Sequence, residues 1–272
     1  MLIAHFSDMH VKGDGETAFD GVDTAGALER CVNHINSLDP SPDVVLITGD
    51  LAFNGETNEY GTLRALLSIL DAPSFFIPGN HDDRSNIRAA FPDLPFIYNT
   101  EEFIQYTVDE YEFRLIGLDT VEPGKEHGIL CSQRLEWLEL QLSKEQTKQT
   151  IIFMHHPPFR TAIEYMDKIG LANANQFAEI VARHDQIQLI LCGHVHRPIH
   201  SAIAGVPAIA APGTAHQISL ELRTGERVKR IMEPPALYLH LLEGGQRISH
   251  LSYIGDYGIN SPFAAGYLRE TK

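Results

Sequence analysis

The chain has 272 residues, 43% of them hydrophobic, which is enough for one large domain or a domain with an appendage. Its 36 acidic residues outnumber its 21 basic residues and give a formal charge of −15, so long nucleic acid is not an expected partner. No stretch has the pattern of a signal peptide or the ~20 apolar residues of a membrane span, and the sequence predicts a cytoplasmic protein that binds no membrane.

The elements alternate between strands and helices along most of the chain. Apolar runs predict strands at 2–6, 44–48, 74–77, 113–118, 150–154, 188–191 and 207–210. Apolar residues at helical spacing predict helices at 23–38, 57–70, 132–143 and 173–184. This alternation is typical of a layered α/β domain.

The pattern changes after residue 213, so we predict a main domain over 1–213 and a β-rich C-terminal section over 214–272. Residues 236–254 are expected to form a hairpin that turns at Gly244-Gly245, with Leu237, Leu239 and Leu241 on one side. The section could complete the sheet, cap the site or mediate oligomerisation, and we expect at least a dimer.

Polar side chains follow five of the predicted strands at the point where each strand ends. In α/β sheets, ligands gather outside the carboxyl ends of strands, so these side chains are expected at one edge. They are Asp8, His10, Asp50, Asn80, His155, His194 and His196. Carboxylate oxygen and imidazole nitrogen together suit two divalent ions of manganese, iron, zinc or cobalt rather than calcium.

The polar residues fall into the series D-x-H, G-D, G-N-H-D, H and G-H-x-H across residues 1–196. The series resembles the calcineurin-like metallophosphoesterase superfamily. The short chain and the run MHHPP at 154–158 are most similar to class III cyclic nucleotide phosphodiesterases and bacterial glycerophosphodiesterases. The resemblance implies a four-layer α/β/β/α sandwich with a dinuclear metal site at one sheet edge.

The resemblance also implies how the metal ligands divide. It assigns one metal to Asp8, His10 and His196, and the other to Asn80, His155 and His194. Asp50 is expected to bridge both metals. His156 has no place in the pattern, and packing or hydrogen bonding near the site is its expected role.

Two further residues, His81 and His216, are candidates for contact with substrate, and Asp82 is expected to support His81 in catalysis. His81 is expected to bind a phosphoryl oxygen or to protonate the leaving alkoxide, with Asp82 fixing its tautomer. The alternative is that His81 only orders its loop. His216 follows another strand-like run and is a candidate for substrate contact.

The charges of such a site favour a phosphodiester as substrate. Two divalent ions bring four positive charges, of which Asp8, Asp50 and a bridging hydroxide offset three, so a singly charged diester balances the remainder. We therefore predict a phosphodiesterase for small diesters, either cyclic nucleotides or glycerophosphodiesters. The alternatives are a phosphomonoesterase of the same fold and a non-catalytic interaction module, while the acidic charge disfavours a DNA nuclease.

Overall fold

The structure is a computed structural model that describes residues 1–19 and 21–258. Asp20 and residues 259–272, the end of the predicted C-terminal section, lie outside the described residues. The strands are β1 (Leu2–Phe6), β2 (Val44–Ile47), β3 (Ser74–Phe76), β4 (Tyr106–Val108), β5 (Arg114–Leu118), β6 (Thr150–Met154), β7 (Ile187–Cys192), β8 (Ile199–Ile203), β9 (Val206–Ala210), β10 (Gln217–Ile218), β11 (Arg230–Ile231), β12 (Ala236–Glu243) and β13 (Gln246–Tyr253). The helices are α1 (Thr24–Asn36), α2 (Thr57–Leu67), α3 (Arg84–Ala90), α4 (Ser132–Lys144), α5 (Glu164–Lys168) and α6 (Ala174–Val181), with a 3-10 turn at Pro95–Tyr98.

The first sheet has five strands in the order β13-β12-β1-β2-β3. Strands β1, β2 and β3 are parallel, so they end at the same edge of the sheet. Strand β12 pairs antiparallel with β1, and β13 pairs with β12 as a hairpin. The predicted hairpin and its turn are confirmed, and the hairpin adds two strands to this sheet.

The second sheet has six strands in the order β4-β5-β6-β7-β9-β8. Strands β5, β6, β7 and β9 are parallel, and β4 and β8 are antiparallel strands at the two edges. The parallel strands are buried along almost their whole length, which explains why they read as continuous apolar runs.

Helices cover the outer face of each sheet. Helix α1 begins after Asp23, whose carboxylate accepts a hydrogen bond from the N–H of Gly26 at 2.8 Å, and it buries Leu28 and Val32. Helices α4 and α6 bury Leu138 and Phe177 in a second apolar cluster with strands of the second sheet. The predicted four-layer α/β/β/α sandwich is confirmed.

The differences from the predicted elements lie at helix ends, at the sheet edges and in the short helices α3 and α5, which were not predicted. Helix α2 stops at Leu67 instead of residue 70, and the edge strands β4 and β8 were not predicted. On β12, Leu239 and Leu241 of the predicted apolar side are only half-buried, whereas Tyr238, His240 and Leu242 on the other side are buried, so the better-covered face is the one that was not predicted. The division at residue 213 stays a prediction.

Across the two described ranges, we find no helix with both the length and the apolar character that a membrane crossing requires.

Candidate metal centre

The loops after β1, β2, β3, β6 and β7 bring all seven predicted metal ligands together at one edge of the sandwich. Atoms of Asp8, His10, Asp50 and His196 that could bind a metal lie within 4.8 Å of one another. Beside them, the Nε2 atom of His155 lies 3.1 Å from the Oδ1 atom of Asn80 and 3.2 Å from the Nδ1 atom of His194. The predicted convergence of strand ends is therefore present in the structure.

Asp50 lies between the two groups of side chains. Its Oδ2 atom is 3.5 Å from Nε2 of His10, and its Oδ1 atom is 3.4 Å from Nε2 of His155. The same Oδ1 atom accepts a hydrogen bond from the N–H of His81 at 2.9 Å, which fixes the carboxylate in this position. Asp50 is therefore placed between the two groups, and its role as a bridge stays a prediction.

Most of the cluster projects from a strained backbone. A positive φ is uncommon for residues other than glycine and costs about 1–3 kcal/mol when it is held in place. Five of the seven residues have it: Asp8 at 57°, His10 at 46°, Asp50 at 49°, His194 at 70° and His196 at 45°. Such strain is typical of functional sites, and here it turns side chains from separate loops toward one point.

Two glycines allow the loops to approach each other. A Cβ atom at Gly79 would collide with the carboxylate of Asp50 and lie 2.8 Å from the ring of His155. A Cβ atom at Gly193 would collide with the hydroxyl of Ser7 and lie 2.9 Å from the carboxylate of Asp8. These glycines are therefore required by close packing around the cluster.

Backbone carbonyls fix the tautomers of two histidines. The Nδ1 atom of His155 lies 2.7 Å from the carbonyl oxygen of Thr48, and Nδ1 of His196 lies 3.3 Å from that of His216. Because a carbonyl only accepts, Nδ1 must carry the proton in each ring. The lone pair on each Nε2 atom then faces the cluster, as it does in a metal-binding histidine.

The donor set fits divalent cations. The Nε2 atoms of His10 and His196 approach to 3.1 Å, in the same way that His155 and His194 approach each other. Within the described residues, Nδ1 of His10 and Nε2 of His194 are buried without a hydrogen-bond partner. Burial lowers the pKa of His10 well below its usual value, and burial together with His155 lowers the pKa of His194 to about 3. Both rings are therefore neutral, which is the form that binds metal.

The field inside the cluster stabilises positive charge. Burial raises the pKa of Asp50, but His155, His81 and His10 outweigh it and hold the pKa well below the usual value. Burial lowers the pKa of His155, but the charge of Asp50 and its hydrogen bond, with Asp8, raise it to about 9. A cation between these side chains would be stabilised by the same carboxylates.

The structure corrects the predicted partner of His81. The Nδ1 atom of His81 lies 2.8 Å from the carbonyl oxygen of Phe53, which fixes the tautomer and leaves Nε2 toward the cavity. The carboxylate of Asp82 instead accepts hydrogen bonds from the N–H groups of Leu51, Ala52 and Gly79 and from the hydroxyl of Tyr60. The prediction that Asp82 orients His81 is wrong, because Asp82 holds the surrounding loops together.

His216 lies over the cluster, as its candidacy for substrate contact requires. Its ring centroid is 4.6 Å from that of His196, 5.8 Å from that of His10 and 4.5 Å from the ring of Phe19. Both His216 and Phe19 line a cavity of about 170 Å³ that opens over the cluster. Burial and His196 lower the pKa of His216 to about 3, so the ring is neutral.

His156 is hydrogen-bonded at both ring nitrogens. Its Nδ1 atom lies 2.8 Å from the hydroxyl of Thr120, and Nε2 donates to the carbonyl oxygen of Glu126 at 3.0 Å. The ring lies near His155 and His194, but these bonds leave it no free lone pair, in agreement with its expected hydrogen-bonding role. Thr120 was not predicted from the sequence as a site residue, although Asp119-Thr120 follows β5 in the same way as the other polar pairs follow their strands.

Fold and site together define a hydrolase of phosphoric esters that uses divalent metal ions. Residues 1–198 match the sequence profile of the calcineurin-like phosphoesterases, and the chain belongs to this family. The predicted family, fold class and hydrolytic activity are thereby confirmed.

Relatives with assigned names match over most of the chain. The chain is 36% identical over 265 residues to a probable glycerophosphodiester phosphodiesterase of Arcobacter nitrofigilis, covering 97% of each protein. It is also 36% identical over 252 residues to a probable cyclic nucleotide phosphodiesterase of Rhodopseudomonas palustris, covering 91% of this chain and 90% of the relative. A solved dimetal phosphatase from Danio rerio has a TM-score of 0.62 at 14% identity, covers 93% of this chain and 99% of its own, and shows the shared fold.

Proposed function

We propose that the protein is a dinuclear metal-dependent phosphodiesterase that hydrolyses small phosphodiesters, either glycerophosphodiesters or cyclic nucleotides. The observation that carries the proposal is the convergence of Asp8, His10, Asp50, Asn80, His155, His194 and His196 from five strand ends. The phosphodiesterases named among the relatives support the diester as the substrate.

The proposed ligands divide around Asp50. Asp8, His10 and His196 hold one metal, Asn80, His155 and His194 hold the other, and each carboxylate oxygen of Asp50 faces one group. Mn²⁺, Fe²⁺, Zn²⁺ and Co²⁺ all suit these nitrogen and oxygen donors. When bound, two such ions polarise a phosphoryl oxygen and lower the pKa of water.

The residues of the chain supply the remaining parts of the reaction. The hydrogen bond from Nδ1 of His81 to Phe53 points Nε2 toward the cavity, where it can bind a phosphoryl oxygen or pass a proton to the leaving alkoxide. His216 and Phe19 cover the cluster from one side and limit the water that reaches it. Asp8 and Asp50 would offset two of the four positive charges of two divalent ions, so the loaded site would stay positive and attract an anionic diester.

The experiment compares diesters with monoesters. The full chain, loaded with Mn²⁺, is assayed on bis(p-nitrophenyl) phosphate and p-nitrophenyl phosphate, and then on a glycerophosphodiester and a cyclic nucleotide. We expect a kcat/KM for the diester at least about tenfold above that for the monoester, which corresponds to about 1.4 kcal/mol. A preference for the monoester would instead identify a phosphomonoesterase, and metal content below one ion per chain would contradict the dinuclear site.

We also propose that the protein forms a homo-oligomer. Leu220, Leu222 and Met232, beside the two-stranded β10–β11 ribbon, are 61%, 59% and 67% exposed, and apolar side chains of this size are what a subunit contact covers. The solution mass should exceed that of one chain and should fall in Leu222→Lys with Met232→Lys. Leu140→Lys on α4, also at an exposed leucine, is the matched control and should leave the mass unchanged.

A cytoplasmic location is part of the proposal. The three cysteines are unpaired, and Cys31 and Cys192 are buried, as is usual in proteins of a reducing compartment. Fractionation of cells that make the full chain tests this location.

A further inference from the structure

A buried carboxylate lies behind the loop that orients His81. Glu59 is in the first turn of α2 and is fully buried. Its Oε2 atom accepts hydrogen bonds from the N–H of Asn54 at 2.8 Å and from the N–H of Glu56 at 3.1 Å. Because an unpaired buried charge is costly, a carboxylate bonded in this way fixes the loop that supplies the donors.

The bond from Asn54 involves the same peptide group that holds His81. The carbonyl oxygen of Phe53 and the N–H of Asn54 belong to one planar peptide unit. His81 donates from Nδ1 to this carbonyl at 2.8 Å, while Glu59 accepts from the N–H at the other end of the unit. Carboxylate, peptide and imidazole therefore form one continuous chain of hydrogen bonds.

Helix capping explains only one of the two bonds to Glu59. In a capping box, the side chain of the third helical residue accepts a hydrogen bond from the N–H of the residue before the helix, which is Glu56 here. Asn54 lies two residues further upstream and outside this box. Its bond to Glu59 therefore holds the loop after β2 and is not needed to begin the helix.

Lys12 supplies the positive charge that a buried carboxylate requires. Its Nζ atom lies 3.3 Å from Oε1 of Glu59 and 5.1 Å from the centroid of the Phe53 ring. The N–H of Phe53 donates to the carbonyl oxygen of Val11 at 3.1 Å, so the loop after β1 holds Phe53 as well. The peptide group that bonds His81 is thus fixed from several directions.

We propose that Glu59 is a positioning residue that orients the ring of His81 through the peptide group between Phe53 and Asn54. The negative charge strengthens the bond from the peptide N–H, and hydrogen bonds in a chain polarise one another, so the carbonyl becomes a better acceptor for Nδ1 of His81. This favours a proton on Nδ1 and keeps Nε2 toward the cavity. Glu59 thus has the supporting role that the sequence predicted for Asp82, at a distance of one peptide group.

This inference rests on the proposed phosphodiesterase activity, and its first test is the position of the His81 proton. The Zn²⁺-loaded full chain with isotopically labelled histidine is observed by NMR at a pH where the ring is neutral. We expect the proton on Nδ1 in the wild type and a mixture of both tautomers in Glu59→Gln, which keeps the shape of the side chain and removes its charge. A wild-type ring with the proton on Nε2 would overturn the proposal even if no variant folds.

The second test is the turnover of a diester with a poor leaving group. On glycerophosphoethanolamine with Mn²⁺, Glu59→Gln should lower kcat about threefold to tenfold and change KM less than about twofold, because it acts through one more bond than a group that supports a metal ligand directly. In a His81→Ala background the same substitution should change kcat less than about twofold, because the ring that it orients is absent. Equal factors in both backgrounds would show a purely structural role and overturn the proposal.

The matched control is Glu16→Gln. Glu16 also pairs with Lys12, at 3.4 Å, but its side chain is 64% exposed, and the peptide group after Phe53 has Glu59 and His81 as its partners. This variant should keep the wild-type tautomer, kcat and KM. An equal effect in Glu16→Gln would assign the change to the environment of Lys12 and would also overturn the proposal.

Failure of the proposed function gives a different result. If the wild type hydrolyses neither glycerophosphoethanolamine nor bis(p-nitrophenyl) phosphate, the phosphodiesterase proposal fails, while the tautomer measurement still tests Glu59. If the wild type is active and Glu59→Gln retains both the proton on Nδ1 and the wild-type kcat, the positioning role is wrong and the phosphodiesterase stands.

Discussion

Two clusters of buried histidines in this molecule have opposite chemistry. One is the edge that carries the proposed metal ligands, where His10, His155, His194 and His196 surround two carboxylates. The other lies between the two sheets and contains His5 on β1 and His240 on β12. All six residues are at most 5% exposed, so neither residue type nor burial separates the clusters.

The pair between the sheets is fully hydrogen-bonded. His5 contacts His240 at 3.2 Å and the hydroxyl of Thr48 at 3.0 Å, and His240 contacts the hydroxyl of Ser249 at 2.8 Å. Since each ring nitrogen has a partner, no lone pair is left for a metal. Both histidines also have ordinary strand backbone, whereas His10, His194 and His196 have a positive φ.

The difference teaches how a structural histidine is distinguished from a candidate ligand. At the edge, ring nitrogens face other ring nitrogens and carboxylates, and some of them have no hydrogen-bond partner. Most of these histidines lie in loops with a strained backbone. Between the sheets, each nitrogen faces a hydroxyl or another ring from a regular strand. The chemical identity of the hydrogen-bond partners, with the positive φ of three of the four edge histidines, therefore carries functional information that burial does not.

The largest expected effect comes from removing the shared carboxylate of the edge cluster. Asp50→Ala should lose both metals and at least roughly 10³-fold in kcat/KM, because several kcal/mol of transition-state stabilisation depend on the metals. Metal content by mass spectrometry and turnover of bis(p-nitrophenyl) phosphate measure this. The control Asp71→Ala changes an exposed aspartate and should keep the wild-type metal content and turnover. An Asp50→Ala protein that retains two metals would contradict the proposed role of the edge cluster.

The next effect concerns a histidine that lies beside the edge cluster without a proposed role as ligand. His81→Ala should keep both metals and lose roughly 10²–10⁴-fold in turnover of a poor leaving group if His81 protonates the alkoxide. The loss should shrink for nitrophenolate, which needs little protonation. His127→Ala, at a surface histidine, is the control. Equal losses on both leaving groups would assign His81 to phosphoryl binding or to loop order.

A smaller effect appears in stability, and it belongs to the pair between the sheets. Burial and, second, electrostatic repulsion from His240 lower the pKa of His5 well below its usual value. Burial and, second, repulsion from His200 lower the pKa of His240 to about 3. Below pH 6.5 the unfolded histidines bind protons that the folded ones do not. Each histidine therefore costs about 1.4 kcal/mol of stability per pH unit as the pH falls from there.

The variant His240→Gln tests this pair. It should be about 1–3 kcal/mol less stable than the wild type at pH 7.5, because buried hydrogen bonds are lost. The gap should narrow by about 1.4 kcal/mol per pH unit below pH 6.5, since the variant lacks the titrating group. Urea unfolding at a fixed Mn²⁺ concentration measures both proteins, with His250→Gln on the exposed side of β13 as control. A gap that is constant with pH would contradict the neutral buried pair.

The sequence predicts most of the parallel strands and the convergence of the edge residues. It does so because each parallel strand is a continuous apolar run that ends in polar residues, and parallel strands end at one edge. The edge strand β4 was missed because it has only three residues, and β8 was missed because only Ile203 among its five residues is buried.

The contacts that define the roles of the histidines could not be predicted in this way. The carbonyl oxygens of Thr48 and Phe53 fix His155 and His81, and a backbone carbonyl has no residue-type signature. For the same reason Asp82 was given the wrong partner, since adjacency in sequence does not show which way a carboxylate points. His5 and His240 are 235 residues apart, and nothing in the sequence pairs them.

The smallest expected effect concerns His156, which shares one feature with each of the two histidine clusters. It lies in the edge cluster, next to the proposed ligand His155, yet both of its nitrogens are hydrogen-bonded like those of the pair between the sheets. If hydrogen bonds from both ring nitrogens to groups outside the proposed ligand set mark a structural histidine, His156→Asn should keep two metals per chain. Turnover should then fall by at most roughly tenfold, at the low end of the effect of groups that support metal ligands.

His155→Asn is the matched control, since it makes the same change one residue earlier and should lose the metal that His155 is proposed to hold. The two purified variants are compared in metal content, turnover and melting temperature, so that a general loss of folding is recognised. Equal metal loss in both variants would show that a fully hydrogen-bonded histidine can still serve as a ligand here. The identity of the hydrogen-bond partners would then no longer distinguish a structural histidine from a ligand in this cluster.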